Sequence, residues 1–374
     1  PVSANDDIRN SEWELGFLRM DQAWQQSTGK GQVVAVIDSG VDASHPDLRG
    51  SVLPGHDFVD GSTDGRRDDV GHGTMVASLI AGHKDDRGVV GLAPDSRILP
   101  IRVLDDHNEY DSADQVASAV RWATDHGADV INLSLGSAQT ATVLSNALHY
   151  AADHDVVVVA CTGNLSNRRG TNVWHPAREP GVVAVSGVTK QGEFWRGSLS
   201  GSATVLSAPA TEIVGAHPGG DYQQMQGTSF AAPMVSAAAA LVRSKLPELS
   251  AGNVIQRLIT TAWDYGPPGR DPEFGFGIVN PTRALTASVP TVSGNPLLRG
   301  TGAQDVGASP QQHSTASPQR PGTPGPVSQA RKHSSEGLSA AQVILLANVI
   351  VTVFVAGACI GVLLMRRRTT PTEK

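Results

Sequence analysis

The chain has 374 residues, 40% hydrophobic and 17% charged, with 40 Gly and 23 Pro in no repeating pattern; this excludes a disordered or collagen-like chain and calls for a buried core. Its formal net charge is −7, and residues 1–290 hold 21 Lys and Arg against 33 Asp and Glu, so the basic patch that a nucleic-acid partner needs is missing. Cys161 and Cys359 are the two cysteines, and the second lies in a long apolar run, which leaves no disulfide framework.

No positively charged and apolar leader opens the chain, yet an exported N-terminus needs one. Pro1 is therefore read as the start of a processed or trimmed chain. The first apolar run, VVAVI at 33–37, has the β-branched content of a buried strand and ends in Asp38-Ser39-Gly40-Val41-Asp42. Asp38 suits either a carboxylate that orients an imidazole or a turn before glycine. Residues 69–77, DVGHGTMVA, place His72 between two glycines at the head of an apolar helix. A strand follows at 98–104, then a loop carrying Asp105, Asp106, Glu109 and Asp111, then helical spacing over 112–126.

Further apolar runs at 130–133, 156–159 and 182–185 alternate with a helical pattern over 142–154. Strands alternating with helices in this way predict an α/β fold, a doubly wound and largely parallel sheet with helices on both faces. Ser134-Leu135-Gly136 follows one strand, and Cys161-Thr162-Gly163-Asn164 follows another. Gly227-Thr228-Ser229-Phe230-Ala231-Ala232-Pro233 then opens an Ala-rich run over 231–246 that suits a buried helix. Alone, Ser229 reads as an N-cap.

Residues 291–337 contain 24 Pro, Gly, Ser or Thr among 47 and no aromatic residue, the composition of a flexible linker. Residues 338–365 carry no formal charge, and the 23 residues of 343–365 make a helix of about 34 Å, enough to span a bilayer core of about 30 Å. Arg366, Arg367 and Arg368 follow at once, which predicts a single-pass anchor with a cytoplasmic tail at 366–374 and everything before it outside the cell.

The segments DSGVD, GHGT and GTSFAAP, in the order Asp, His, Ser, resemble the subtilisin-like serine proteases over roughly residues 13–285. The resemblance implies a peptidase domain at 31–290 with Ser229 as nucleophile, His72 as base and Asp38 as the group that orients it. Asn164 stands where that family has its oxyanion-hole asparagine. The resemblance also implies that Ser134, Leu135 and Gly136 form the edge that pairs with an extended peptide and walls the first specificity pocket, and that Thr162 and Gly163 take part in binding substrate. The acidic loop after Val103 is either a solvated loop or a preference for basic substrates. Cys161, at the end of a buried run, is read as a packed hydrophobe.

Asp47 matches a calcium ligand of many subtilisins, but the loop before Gly88 is shorter than their calcium loop, so no metal and no cofactor are expected. Residues 1–30, with Trp13-Glu14-Leu15 and Ala23-Trp24, form an N-terminal extension too short for an independently folding pro-domain. Together with the Pro-rich linker and the single C-terminal helix, they resemble the mycosins, the membrane-anchored subtilases of type VII secretion systems. That resemblance implies an endopeptidase acting on exported proteins or peptides. Two alternatives stay open: a structural component of a type VII secretion membrane complex, and a generic surface protease.

Overall fold

The computed structural model describes residues 4–85, 87–165 and 172–298, all within one compact unit, Pro1–Gln304. The expected membrane helix and cytoplasmic tail, and the linker beyond residue 298, lie outside the described residues. Among the described residues no helix is long and apolar enough to cross a membrane.

Three short helices open the chain: α1 (Ala4–Ser11), α2 (Trp13–Phe17) and α3 (Met20–Trp24). They are fastened to the body by side chains that donate to distant carbonyls: Arg9 to Arg87 and Gly88, Trp13 to Thr211, and Trp24 to Leu92. β1 (Val33–Asp38) and β2 (His56–Asp57) come next, followed by α4 (His72–Ala81), β3 (Arg97–Arg102), α5 (Ala113–Asp125) and β4 (Val130–Leu133). The chain continues through α6 (Thr142–Asp153), β5 (Val157–Cys161), β6 (Val183–Val188) and β7 (Leu206–Pro209). A hairpin of β8 (Ile213–His217) and β9 (Asp221–Met225) leads to α7 (Thr228–Lys245), α8 (Ala251–Thr261) and α9 (Pro281–Thr286).

The main sheet has seven strands in the order β2-β3-β1-β4-β5-β6-β7, every neighbouring pair parallel. Its strands are apolar on both sides because helices cover both faces; β4, β5 and β6 are buried at every residue. α7 runs through the interior with 14 of its 18 residues buried. Its alanines let it pass close to β4, β5 and β6, since a methyl group needs little room.

Within the described residues the predicted strands and helices are present, with ends moved by no more than three residues. Ser112 caps α5 by accepting from the Gln115 N–H. The hairpin had no sequence signal, because β9 reads Asp-Tyr-Gln-Gln-Met and is largely exposed. It packs on α4 instead, with the Ala216 N–H donating to Ser78 Oγ.

Candidate active site

The sheet order branches at β1, with β3 on one side and β4 on the other, and the strand ends there open a crevice of the kind that α/β folds use for ligands. Ile37 of β1 stands opposite Leu133 of β4, so Asp38 and Ser134 leave the sheet side by side. Asp38 is fully buried; its Oδ1 accepts the Ser39 N–H at 2.8 Å and lies 2.7 Å from His72 Nδ1. A carboxylate accepts only, so Nδ1 carries the proton and Nε2 is left as the basic nitrogen. Burial by itself would depress the His72 pKa; the Asp38 charge and hydrogen bond outweigh it, with Asp68 adding to them, and the net shift is upward.

Asp68 fixes this junction. Its carboxylate accepts the N–H groups of Val70, Gly71 and Thr74 and the hydroxyls of Thr74 and Ser39, while Ser39 Oγ in turn accepts the Gly73 N–H. Position 73 must be glycine, since a Cβ there would stand 2.0 Å from the Gly40 carbonyl oxygen. Asp68 was not singled out from the sequence; an acid four residues before a helix-opening His, where orphan N–H groups collect, is the signal that marks it.

Ser229 is the second residue of α7, inside the helix rather than its cap, and Gly227 takes the cap position. Pro233 has no N–H to give to the Ser229 carbonyl four residues earlier. Ser134 Oγ donates to that carbonyl instead, at 2.7 Å, and itself accepts from Asn132 Nδ2, whose Oδ1 accepts from Ser236 Oγ. The helix start that carries the serine is thereby tied to β4. Ser229 Oγ donates to the Ser134 carbonyl at 3.1 Å, and among the described hydrogen bonds none joins it to His72. Both side chains line one cleft of about 450 Å³, and a change of χ1 rotamer re-aims the hydroxyl within it.

Asn164 lines the same cleft. Its Oδ1 accepts the Thr228 N–H at 2.9 Å and the Thr228 hydroxyl at 3.0 Å, which identifies that atom as the carbonyl oxygen and leaves Nδ2 free to donate. The Ser229 N–H, in the first turn of α7, is a second donor at a helix N-terminus. Two such donors suit an oxygen that gains negative charge.

Ser134, Leu135 and Gly136 line the cleft, and the Leu135 and Gly136 amides take no partner among the described hydrogen bonds. Gly163 donates to Thr228 Oγ1 behind the wall, and Thr162 is fully buried with its hydroxyl 3.3 Å from Ser198 Oγ. Cys161 is 2% exposed, and burial pushes its thiol up to about 11 against the opposing pull of the Ser229 and Thr228 hydroxyls, so it is no thiolate. Of the acidic loop, Glu109 lines the cleft; Asp106 pairs with Arg102, and Asp105 accepts the His107 and Glu109 N–H groups. Leu104, Tyr110 and Trp174 also line it and carried no sequence signal of their own.

The Asp47 region does not fit a calcium ion. Its carboxylate accepts the Val89 N–H and the Tyr222 hydroxyl, and the Arg87 and Gly88 carbonyls face the Arg9 guanidinium, which also meets Glu12 at 3.0 Å. The oxygens that a hard cation would need are already engaged by N–H and O–H donors.

The Subtilase family matches residues 29–277. The chain is 35% identical to fervidolysin of Fervidobacterium pennivorans over 320 residues, 77% of this chain and 46% of that protein, so it spans about half the length of that relative. It is 37% identical to subtilisin of Bacillus pumilus over 257 residues, 68% of this chain and 91% of that one. Among solved structures, the MycP3 protease from the type VII (ESX-3) secretion system superposes with a TM-score of 0.66 at 34% identity, covering 74% of this chain and 88% of that one.

Proposed function

Because this chain belongs to the subtilase family, we propose that it is a serine endopeptidase, anchored in the cell membrane and linked to type VII secretion, that hydrolyses peptide bonds of exported proteins. The observation that carries this reading is the Asp38–His72 pair, which opens onto the cleft shared with Ser229 and Asn164. Ser229 Oγ attacks the scissile carbonyl, and His72 Nε2 takes its proton and returns it to the leaving amine. Asp38 holds the imidazole tautomer and stabilises its cation; Asn164 Nδ2 and the Ser229 N–H hold the oxyanion. Ser134, Leu135 and Gly136 pair with the substrate backbone as an added strand.

In this reading residues 1–30 are an extension on the peptidase domain of 31–290. A linker over 291–337 leads to the anchor at 338–365, with 366–374 in the cytoplasm. The link to secretion is supported by the likeness to MycP3, whose solved structure is described as part of the ESX-3 system. Treating detergent-solubilised protein with a fluorophosphonate probe tests the reading. Labelling of wild type and none of Ser229→Ala is expected; an unlabelled but folded wild type refutes it.

A second reading, a structural part of a secretion complex, is favoured by the Ser229 hydroxyl bonding to Ser134 rather than His72. Secretion that persists in a Ser229→Ala strain separates it from the first.

A further inference from the structure

Arg270 is a cation without a counter-charge in a domain rich in acids. Residues 1–290 hold 33 Asp and Glu against 21 Lys and Arg, yet among the described ion pairs none includes Arg270. Asp271 beside it turns a carboxyl oxygen to the Glu273 and Phe274 N–H groups instead. The Arg270 guanidinium is half-buried and stacked 5.2 Å from the Phe276 ring centre, and burial with no opposing acid lowers its pKa. Its Nε donates to the Thr204 carbonyl at 3.2 Å, and Nη2 donates to the Ser202 and Thr204 carbonyls at 2.9 and 3.0 Å. Of the five N–H donors of an arginine, the two on Nη1 are thus left without a partner among the described residues.

The same side chain lines a pocket of about 390 Å³ that shares no residue with the cleft beside Ser229. Val205, Ile259, Leu297 and Leu298 wall it, with Pro180 and Pro296. Glu179 also lines it, but its carboxyl oxygens are taken by His175 Nδ1 and Ser145 Oγ, while Arg178 brings a second guanidinium that no described acid pairs. A concave apolar space with one or two fixed charges is the pattern of a small-molecule site, and this volume falls in the usual range. Partly desolvated, the Nη1 donors hold a carboxylate more strongly than a fully hydrated arginine does, because charge-assisted bonds gain as water is excluded. The walls favour an alkyl chain over a peptide: Pro180 and Pro296 have no N–H, and the Val205 N–H and carbonyl are spent on Ala184 and Phe276. We propose that this pocket is a binding site for a single-chain fatty carboxylate, its head on Arg270 Nη1 and its tail along Ile259, Leu297 and Leu298. The site is separate from the cleft and stands whether or not the endopeptidase reading holds.

A diazirine-bearing analogue of dodecanoate, irradiated with the full chain in detergent, tests it once the labelled peptides are mapped. Labelling is expected on residues 177–182 or 296–298. Dodecanoate should displace it at about tenfold lower concentration than dodecanol, which has the tail without the charge. Arg270→Gln should lower the labelling by about the same factor. Glutamine also gives up bonds to Ser202 and Thr204, so Ala203→Glu is the second variant: it sets a carboxylate on the pocket wall, keeps the guanidinium, and should lower labelling as far with the melting temperature retained. Equal displacement by dodecanol, labelling unmoved in both variants, or labelling only at other residues overturns the proposal. Stronger displacement by a peptide ending in a Leu-Leu carboxylate than by dodecanoate overturns the choice of an alkyl tail.

Discussion

Replacing Glu14 by Gln should flatten the pH dependence of stability. Glu14 sits in α2, 1% exposed, and among the described residues neither carboxyl oxygen has a hydrogen-bond partner beyond the weak pull of its own backbone N–H. Burial pushes its pKa up to about 8 from the ordinary 4.5, against weaker opposing effects of its own backbone N–H and of Lys190. The folded chain thus holds this proton more tightly than the unfolded chain. Its stabilising contribution is fully present below about pH 4.5 and is lost as pH rises, until both states are ionised above about pH 8. At about 1.4 kcal/mol per pH unit, the loss by pH 7 is about 3 kcal/mol, against about 1 kcal/mol at pH 5. Glutamine leaves a buried amide in place of a buried protonated acid, so the two chains should match below about pH 4.5 and differ by about 1 kcal/mol at pH 5. At pH 7 the variant should then be ahead by about 3 kcal/mol, a rise in melting temperature of about 5 °C for a domain of this size. Calorimetric melting of both proteins from pH 5 to 8 reads the difference. Curves that run parallel across that range would refute the linkage.

Three further outcomes are expected. Asn164→Ala should lower kcat by about 10²–10³, the magnitude known for loss of such a donor in subtilisin, while the protein still folds; activity within a few fold of wild type would sink its role. Because the His72 pKa is raised and the base must be neutral, the acid limb of the kcat/KM profile should fall above pH 6.5, and a midpoint below that value contradicts the Asp38 pairing. Chelator should leave the melting temperature unchanged, whereas Arg9→Ala, which removes the donor to the Arg87 and Gly88 carbonyls and the partner of buried Glu12 Oε2, should cost about 1–3 kcal/mol. Thermal melts in excess EDTA check the first half, and a drop of several degrees there would show a metal doing what is assigned to Arg9.

The strands around residues 33–37, 130–133 and 156–159 are legible in the sequence because burial on both faces writes itself as unbroken apolar runs. Asp38, His72, Asn164 and Ser229 stand out for a related reason: each follows or opens such an element among small residues. The hairpin Ile213–Met225 is not legible, since its outer strand is polar and its stability comes from packing on α4. Glu12 and Glu14 belong to a residue type that ordinarily faces water, yet both are buried. Burial of a charged residue type cannot be read from local pattern, because it depends on what the rest of the chain brings to cover it.

The layers of the fold, and Asp38, His72, Asn164 and Ser229 as candidate site residues, are legible in the linear chain. Periodicity and motif are local properties, and local properties survive in a linear string. The tertiary structure alone decided how those residues are held. Asp68 became the hub of the His72 junction, and Ser134 became the partner for a carbonyl that Pro233 leaves without an N–H. Arg9 came to face the loop carbonyls beside Asp47, and Trp174 entered the cleft wall between two glycines. Each of these contacts joins residues about 30 to 95 positions apart or depends on three segments meeting at once. Such meetings are fixed only when the sheet order and the helix paths have been set, because no local rule links the partners before the core brings them together.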